Sequence, residues 1–187
     1  MRTQPFGRAV GAAVSALLLW QCGGGGDGGS RTATADKGGR VDACELVPKS
    51  EMETIVGVSV ASTKGHLSEH TYTTPPGYTA SCRYLGERAV MLAVDYPAPR
   101  QQMSSEQLAA RVTKQLRSQV GSDPSTDELF RSIQVRPVTG LAGPAAEYEM
   151  MEQTTLEVHT GDYMLKVMAP SLDDARGVAA KALERLH

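Results

Sequence analysis

The string His66-Leu67-Ser68-Glu69-His70 sets two imidazoles four positions apart with a carboxylate between them, the H-x-x-E-H order of inverted zinc peptidases. On a helix, that spacing would bring both imidazoles to one zinc and leave the Glu69 carboxylate to work on its bound water. The flanks argue against a helix, with Gly65 ahead and Thr71-Tyr-Thr-Thr-Pro75-Pro76 behind, and no companion third ligand is evident. The expectation is therefore a solvated polar loop over Lys64–Thr79, with a zinc-dependent hydrolase through His66, Glu69 and His70 kept as an alternative. Hydrolytic triads find less support. No serine sits in a Gly-x-Ser-x-Gly elbow, and the bases on offer are His66, His70, His159 and His187. His159 alternates with Leu156 and Val158, which predicts that it faces solvent on a strand. Glu147, Glu149, Glu152 and Glu157 read as an exposed polar face, and Met150, Met151, Met164 and Met168 as core filler. No catalytic residue, metal ligand or cofactor is assigned, and the expectation is that the chain is not an enzyme.

The cysteines carry a different chemistry. There are three, Cys22, Cys44 and Cys82. Cys22 ends the sequence Leu19-Trp20-Gln21-Cys22, which resembles a lipobox, the motif whose cysteine is acylated and becomes the first residue of the mature chain. Leu19 is the expected aliphatic residue, whereas Trp20 and Gln21 stand where small residues are usual. Spending Cys22 on a lipid leaves Cys44 and Cys82 as a pair for an oxidising compartment, with two buried free thiols as the alternative. Neither cysteine belongs to a C-x-x-C, so a structural zinc site is not expected.

The segment ahead of Cys22 fits export. A charged start (Met1 to Arg8) leads into an apolar run from Ala9 to Trp20. At 1.5 Å per residue that run is about 18 Å long, short of the roughly 30 Å hydrocarbon core, so a cleaved signal is expected rather than a permanent span. The segment after Cys22 is glycine-rich, Gly23-Gly-Gly-Gly26-Asp27-Gly28-Gly29-Ser30, and stays polar to about Arg40. It lacks the Lys-Ser/Thr ending of a phosphate-binding loop and reads as a flexible tether, spanning about 25 Å on average. The expected organisation is a lipoprotein signal peptide over 1–21, a tether over 22–40 and one globular domain over 41–187. The absence of Asp directly after Cys22 implies outer-membrane delivery if the organism has two membranes. A formal net charge of -2 gives nucleic-acid binding no electrostatic basis.

Within 41–187, the elements alternate between helical and strand periodicity. Leu46, Met52, Ile55 and Val56 predict a short first helix between Pro48 and Gly57, and Val58–Ser62 a strand. Ser81–Leu85 and Ala89–Tyr96 predict a hairpin around Gly86-Glu87-Arg88, with Val90, Leu92, Val94 and Tyr96 on one face; Pro97 and Pro99 close it. Ser104 and Gln107 form a capping-box signature ahead of Leu108, Val112, Leu116 and Val120, with Gly121 as the stop. Further strands are predicted at Ile133–Val138, Ala146–Met151, Thr154–Thr160 and Tyr163–Met168, the last two joined at Gly161-Asp162. Ser171 caps a final helix burying Leu172, Ala175, Ala179, Ala182 and Leu186. The predicted fold is α+β: an antiparallel sheet of about five to seven strands with amphipathic helices on one covered face, built from pseudo-repeated strand-strand-helix halves.

Several of these stretches together resemble a family of small cell-envelope lipoproteins, best known from actinobacteria, whose shared domain has no known function. The residues concerned are Asp42-Ala-Cys44-Glu-Leu46-Val-Pro48, Met52 with Val56-Gly57-Val58, Ser81-Cys82-Arg-Tyr84, and Val138-Thr-Gly140-Leu141-Ala-Gly143-Pro-Ala145. Pro48 replaces a helix-capping Thr usual there, and Ala142 is an insertion in the glycine turn. The resemblance implies a paired-cysteine domain in the cell envelope and brings no catalytic residues. The expected function is a non-enzymatic binding or accessory module, anchored to the membrane by its lipid. Its partner would be an envelope protein or a cell-wall component, met through the sheet face or the loop Lys64–Thr79. A carrier or sensor of a small apolar ligand, held between helices and sheet by Met and Tyr, is the alternative.

Overall fold

Period-two alternation of apolar residues recurs in strand-forming stretches from Gly77 onward, and these join one antiparallel sheet. In the computed structural model, residues 40–71, 76–98, 103–118 and 132–186 are described. The strands are β1 (Val60–His70), β2 (Gly77–Gly86), β3 (Val90–Tyr96), β4 (Arg136–Val138), β5 (Ala145–Met150), β6 (Gln153–Thr160) and β7 (Tyr163–Ala169). Their order across the sheet is β1-β2-β3-β7-β6-β5-β4, so two meanders meet where β3 pairs with β7. The helices are α1 (Ala43–Leu46), α2 (Lys49–Val56), α3 (Ser105–Ser118) and α4 (Leu172–Leu183). The fold is the expected α+β class.

Cross-strand register separates the two sides of the sheet. Glu147, Leu156, Val167, Leu92, Cys82 and Gly65 are successive partners from β5 to β1 and point to one side. The adjoining row, Ala146, Glu157, Lys166, Ala93, Ser81 and His66, points to the other. On the first side, Tyr84, Leu92, Val94, Leu156, Val158, Leu165 and Val167 are fully buried against α1, α2 and α4. At about 1.5–3 kcal/mol for each large apolar side chain, this layer is the main source of stability.

A one-turn helix such as α1 is not stable by itself, and its attachments explain its place. The Asp42 carboxylate accepts from the Cys44 N–H at 2.8 Å. The Val41 N–H donates to the Tyr78 hydroxyl at 3.0 Å, and the Tyr84 hydroxyl donates to the Val47 carbonyl at 2.6 Å. Between those points, Cys44 and Cys82 form a disulfide across 38 positions of sequence. Tyr78, Cys82 and Tyr84 alternate along one side of β2, so residues 41–47 lie across that strand at three successive ties. Arg185, just after α4, completes the clamp by donating to both Glu51 oxygens, at 2.9 and 2.5 Å, and to the Leu46 carbonyl at 2.6 Å.

Several expectations change. The first helix expected between Pro48 and Gly57 is α2, which Gly57 ends at φ 68°; Leu46 belongs to the separate turn α1, because Pro48 between them is extended (ψ 153°). The polar stretch after Val60 is no loop: β1 runs on to His70 as an edge strand paired with β2 along its inner edge, although nearly every side chain is exposed. The strand expected at Ile133–Val138 shortens to β4, since Ile133 and Val135 pack against the α3 cluster instead. The halves do not repeat as strand-strand-helix. Three strands precede α3 and four precede α4, and the two helices cover opposite sides, so the single covered face is corrected to two. The signal peptide, Cys22 and the tether up to residue 39, with Pro75, Pro99, Val120, Gly121 and His187, lie outside the described residues. No helix among the described residues is long and apolar enough to cross a membrane.

Candidate functional site: a cleft beneath the third helix

Helix α3 starts where the sequence predicts. The Ser104 N–H donates to Gln107 Oε1 at 2.9 Å, and the Gln107 N–H donates back to Ser104 Oγ at 3.3 Å. Ser105 then ties the helix to the sheet, donating to the Val138 carbonyl at 2.9 Å and accepting from the Ala145 N–H at 3.1 Å. Leu108, Ala109, Val112 and Leu116 pack on Ala146 and Tyr148, on the second side of the sheet. One helix is about 10 Å wide, and strands repeat about every 4.8 Å, so α3 cannot cover the whole of a seven-stranded surface.

The gap left beside α3 is a cleft of about 450 Å³. Its floor is one cross-strand row, His159, Met164, Asp95 and Thr79, with Glu157 beside it. Its wall is the helix stripe Leu108, Arg111, Val112 and Gln115, and His70 and Pro97 lie at its margin. The turn from Gly140 to Pro144 sets the end of the floor. The His159 N–H donates to the Pro144 carbonyl at 2.9 Å, and a Cβ at Gly143 would collide with the His159 carbonyl oxygen, an approach only glycine allows.

Two polar residues of the cleft floor, Glu157 and His159, are buried. The Glu157 side chain is 8% exposed and meets Lys166 Nζ at 3.2 Å, while that ammonium stands 5.9 Å from the centre of the Tyr148 ring. Burial works against the charged Lys166, but Glu157 and Tyr148 outweigh it and hold the pKa above the usual lysine range. His159 is pushed the other way: burial, and then the positive charge of Arg111, lower its pKa against the opposing pull of Glu157. Its imidazole is therefore neutral near pH 7. Asp95 accepts from the Thr79 hydroxyl. The Thr79 hydroxyl is thus committed to Asp95 and not to His159. Asp95 and Arg111 each lack an ion-pair partner among the described residues.

No protein-family model, curated protein or solved structure matches the chain.

The sequence-predicted residues divide sharply. Cys44 and Cys82 are joined; Cys22 lies outside the described residues. His66, Glu69 and His70 lie on β1, with both histidines on the second side of the sheet and Glu69 on the first, where it meets Arg40 at 2.5 Å. Four strand positions separate the imidazoles by about 13 Å along the backbone, too far to share a metal with bonds near 2 Å. Among the described residues, no group of three or more His, Cys, Asp or Glu is placed to hold one.

His159, expected in solvent, is 8% exposed, because the polar side of β6 lies beneath α3 and the glycine turn. The four glutamates do not share an exposed face. Glu157 is buried on the second side; Glu147 points to the first, where its Oε2 is buried without a hydrogen-bond partner; Glu149 and Glu152 are exposed. Of the four methionines, Met150 packs on the α3 cluster. Met151 is 75% exposed in a turn, Met164 lines the cleft, and Met150 and Met168 are half-buried. Sequence reasoning missed Asp95, Arg111 and Thr79, whose alternation alone reads as ordinary solvent-facing polarity. A usable signal was β6 itself, where Thr155, Glu157 and His159 sit opposite Thr154, Leu156 and Val158 in a strand central enough to need cover on both sides.

Proposed function

We propose that the chain is a lipid-tethered protein of the bacterial cell envelope whose domain over 41–187 is a non-enzymatic binding module, acting through the cleft beneath α3. The observation that carries the location is the Cys44–Cys82 disulfide. It belongs to an oxidising compartment and leaves Cys22, behind its apolar run and ahead of its glycine tether, as the cysteine for the lipid. Two acyl chains give durable anchoring, and the tether carries the domain clear of the headgroups. The family resemblance supports the same placement.

Binding is favoured over the other readings by where space and charge lie. The layer between the first side of the sheet and α1, α2 and α4 is filled by fully buried residues, which leaves an apolar carrier little room. The cleft sets Asp95, Arg111, Glu157 and His159 beside apolar contacts from Leu108, Val112 and Met164, and the H-x-x-E-H string is extended. Intact mass of the protein purified from its native envelope tests the proposal. The expected species has lost residues 1–21, carries acyl mass on Cys22 and is two hydrogen atoms lighter for the disulfide. A Cys22→Ala chain should carry no acyl mass; an acylated Cys22→Ala chain, or a wild-type chain without acyl mass, would end the tethered reading.

A further inference from the structure

We propose that the cleft is a receptor site for a small zwitterion, an amino acid or short peptide whose carboxylate is held by Arg111 and whose ammonium is held by Asp95. This deepens the reading of the domain as a binding module and rests on it.

Charge balance inside the cleft selects this class of ligand. Glu157 is already neutralised by Lys166 at 3.2 Å, so the unmatched charges are Arg111 on the helix wall and Asp95 on the floor. They are not paired with each other and have no ion-pair partner among the described residues. A simple anion would gain Arg111 but face Asp95; a simple cation would meet the reverse. A zwitterion satisfies both. The donor geometry agrees, since Thr79 donates to Asp95 Oδ1 and leaves Oδ2 to accept from an ammonium. The exposed guanidinium of Arg111 offers the planar fork that suits a carboxylate.

The rest of the lining suits the body of such a ligand. Leu108, Val112 and Met164 supply apolar contact, and Gln115 offers both a donor and an acceptor for a peptide amide. The volume of about 450 Å³ falls in the range of small-molecule sites.

Calorimetric titration of the full chain with alanyl-alanine, as the L,L and D,D forms, tests the assignment on the ligand side. N-acetyl-alanyl-alanine removes the ammonium, and alanyl-alanine amide removes the carboxylate. The free dipeptide should bind in at least one stereochemical form, and each block should weaken it by about tenfold or more. On the protein side, Asp95→Asn should weaken the free dipeptide about tenfold and leave the N-acetyl form unchanged. Arg111→Gln should do the same while leaving the amide form unchanged. No binding of either free dipeptide at about 10 mM, blocked forms that bind as well as free ones, or variants that weaken all ligands equally would each overturn the proposal. Because the blocked ligands are read on the unaltered protein, the test survives a variant that fails to fold. Acylated Cys22 without dipeptide binding would sink the zwitterion alone, whereas dipeptide binding by a chain never acylated would sink the tether alone.

Discussion

The two sides of the sheet are built from the same strands, and along β6 they bury opposite kinds of residue. Along β6, Leu156 and Val158 enter a layer closed by three helices and a disulfide, while Thr155, Glu157 and His159 are almost as buried beneath α3 and a glycine turn. Removal of apolar surface from water explains the first side. On the second side it accounts for the α3 cluster on Ala146 and Tyr148 but not for the Glu157–Lys166 pair, where enclosing a carboxylate and an ammonium costs desolvation that their attraction roughly offsets. Stability is therefore concentrated on one side, and the capacity for polar recognition on the other. A fold that stabilises itself through one face is free to keep charges on the other.

The largest expected effect lies on the stabilising side. Replacing both cysteines, Cys44→Ala with Cys82→Ala, opens the 38-position closure and should lower unfolding free energy by about 4 kcal/mol on the chain-entropy model. Denaturant unfolding measures it, with the zwitterion affinity of the folded variant expected to stay within about twofold, since sites on opposite sides are close to additive. A cost below about 1 kcal/mol would mean that the Tyr78, Tyr84 and Arg185 contacts already hold residues 41–47 in place, and that the first side owes little to its covalent staple.

This asymmetry also decides what could be read from the sequence. Positions on the first side announce themselves: Val90, Leu92 and Val94 alternate, Ala175, Ala179 and Ala182 keep helical spacing, and the Ser104–Gln107 box marks the start of α3. The strand pairing of β1 was hidden because its exposed polar side chains carry no alternation; its partner β2 determines it. The cleft was hidden for a related reason. Whether a polar residue on a strand meets water or another element depends on which helix crosses above it, and neither Arg111 nor Asp95 encodes their meeting across the intervening sequence. The cysteine pairing was readable because counting thiols is independent of such three-dimensional context.

A middle-sized effect separates pairing from burial on the second side. Lys166→Met leaves the Glu157 carboxylate, 8% exposed, without its cation, and should cost about 2 kcal/mol in a denaturant titration at pH 7. Adding Glu157→Gln in the same chain should recover most of that loss, because the demand comes from the unmatched charge and not from lost packing. Equal losses in the single and double variants would mean that the ammonium stem and its contact with Tyr148 stabilise this side, making it closer in kind to the apolar side than the charges imply.

The smallest effect is a pH slope. Burial and the positive charge of Arg111 hold the His159 pKa below its usual value near 6.5, against the opposing pull of Glu157. The unfolded imidazole therefore takes up a proton first as pH falls. From about pH 6.5 downward the unfolded state binds more protons than the folded one, so stability drops progressively until the folded-state pKa is passed; above that window His159 contributes no slope. Unfolding midpoints at about pH 7.5 and 5.5 should show this drop in the natural chain and a shallower one in His159→Gln, the difference removing the background from other titrating groups. Adding Arg111→Gln to the natural chain should flatten the slope in part, because it removes one of the two causes. A slope that survives His159→Gln unchanged would place the imidazole in water. The second side would then be a solvated face, and its polarity would need no cleft to explain it.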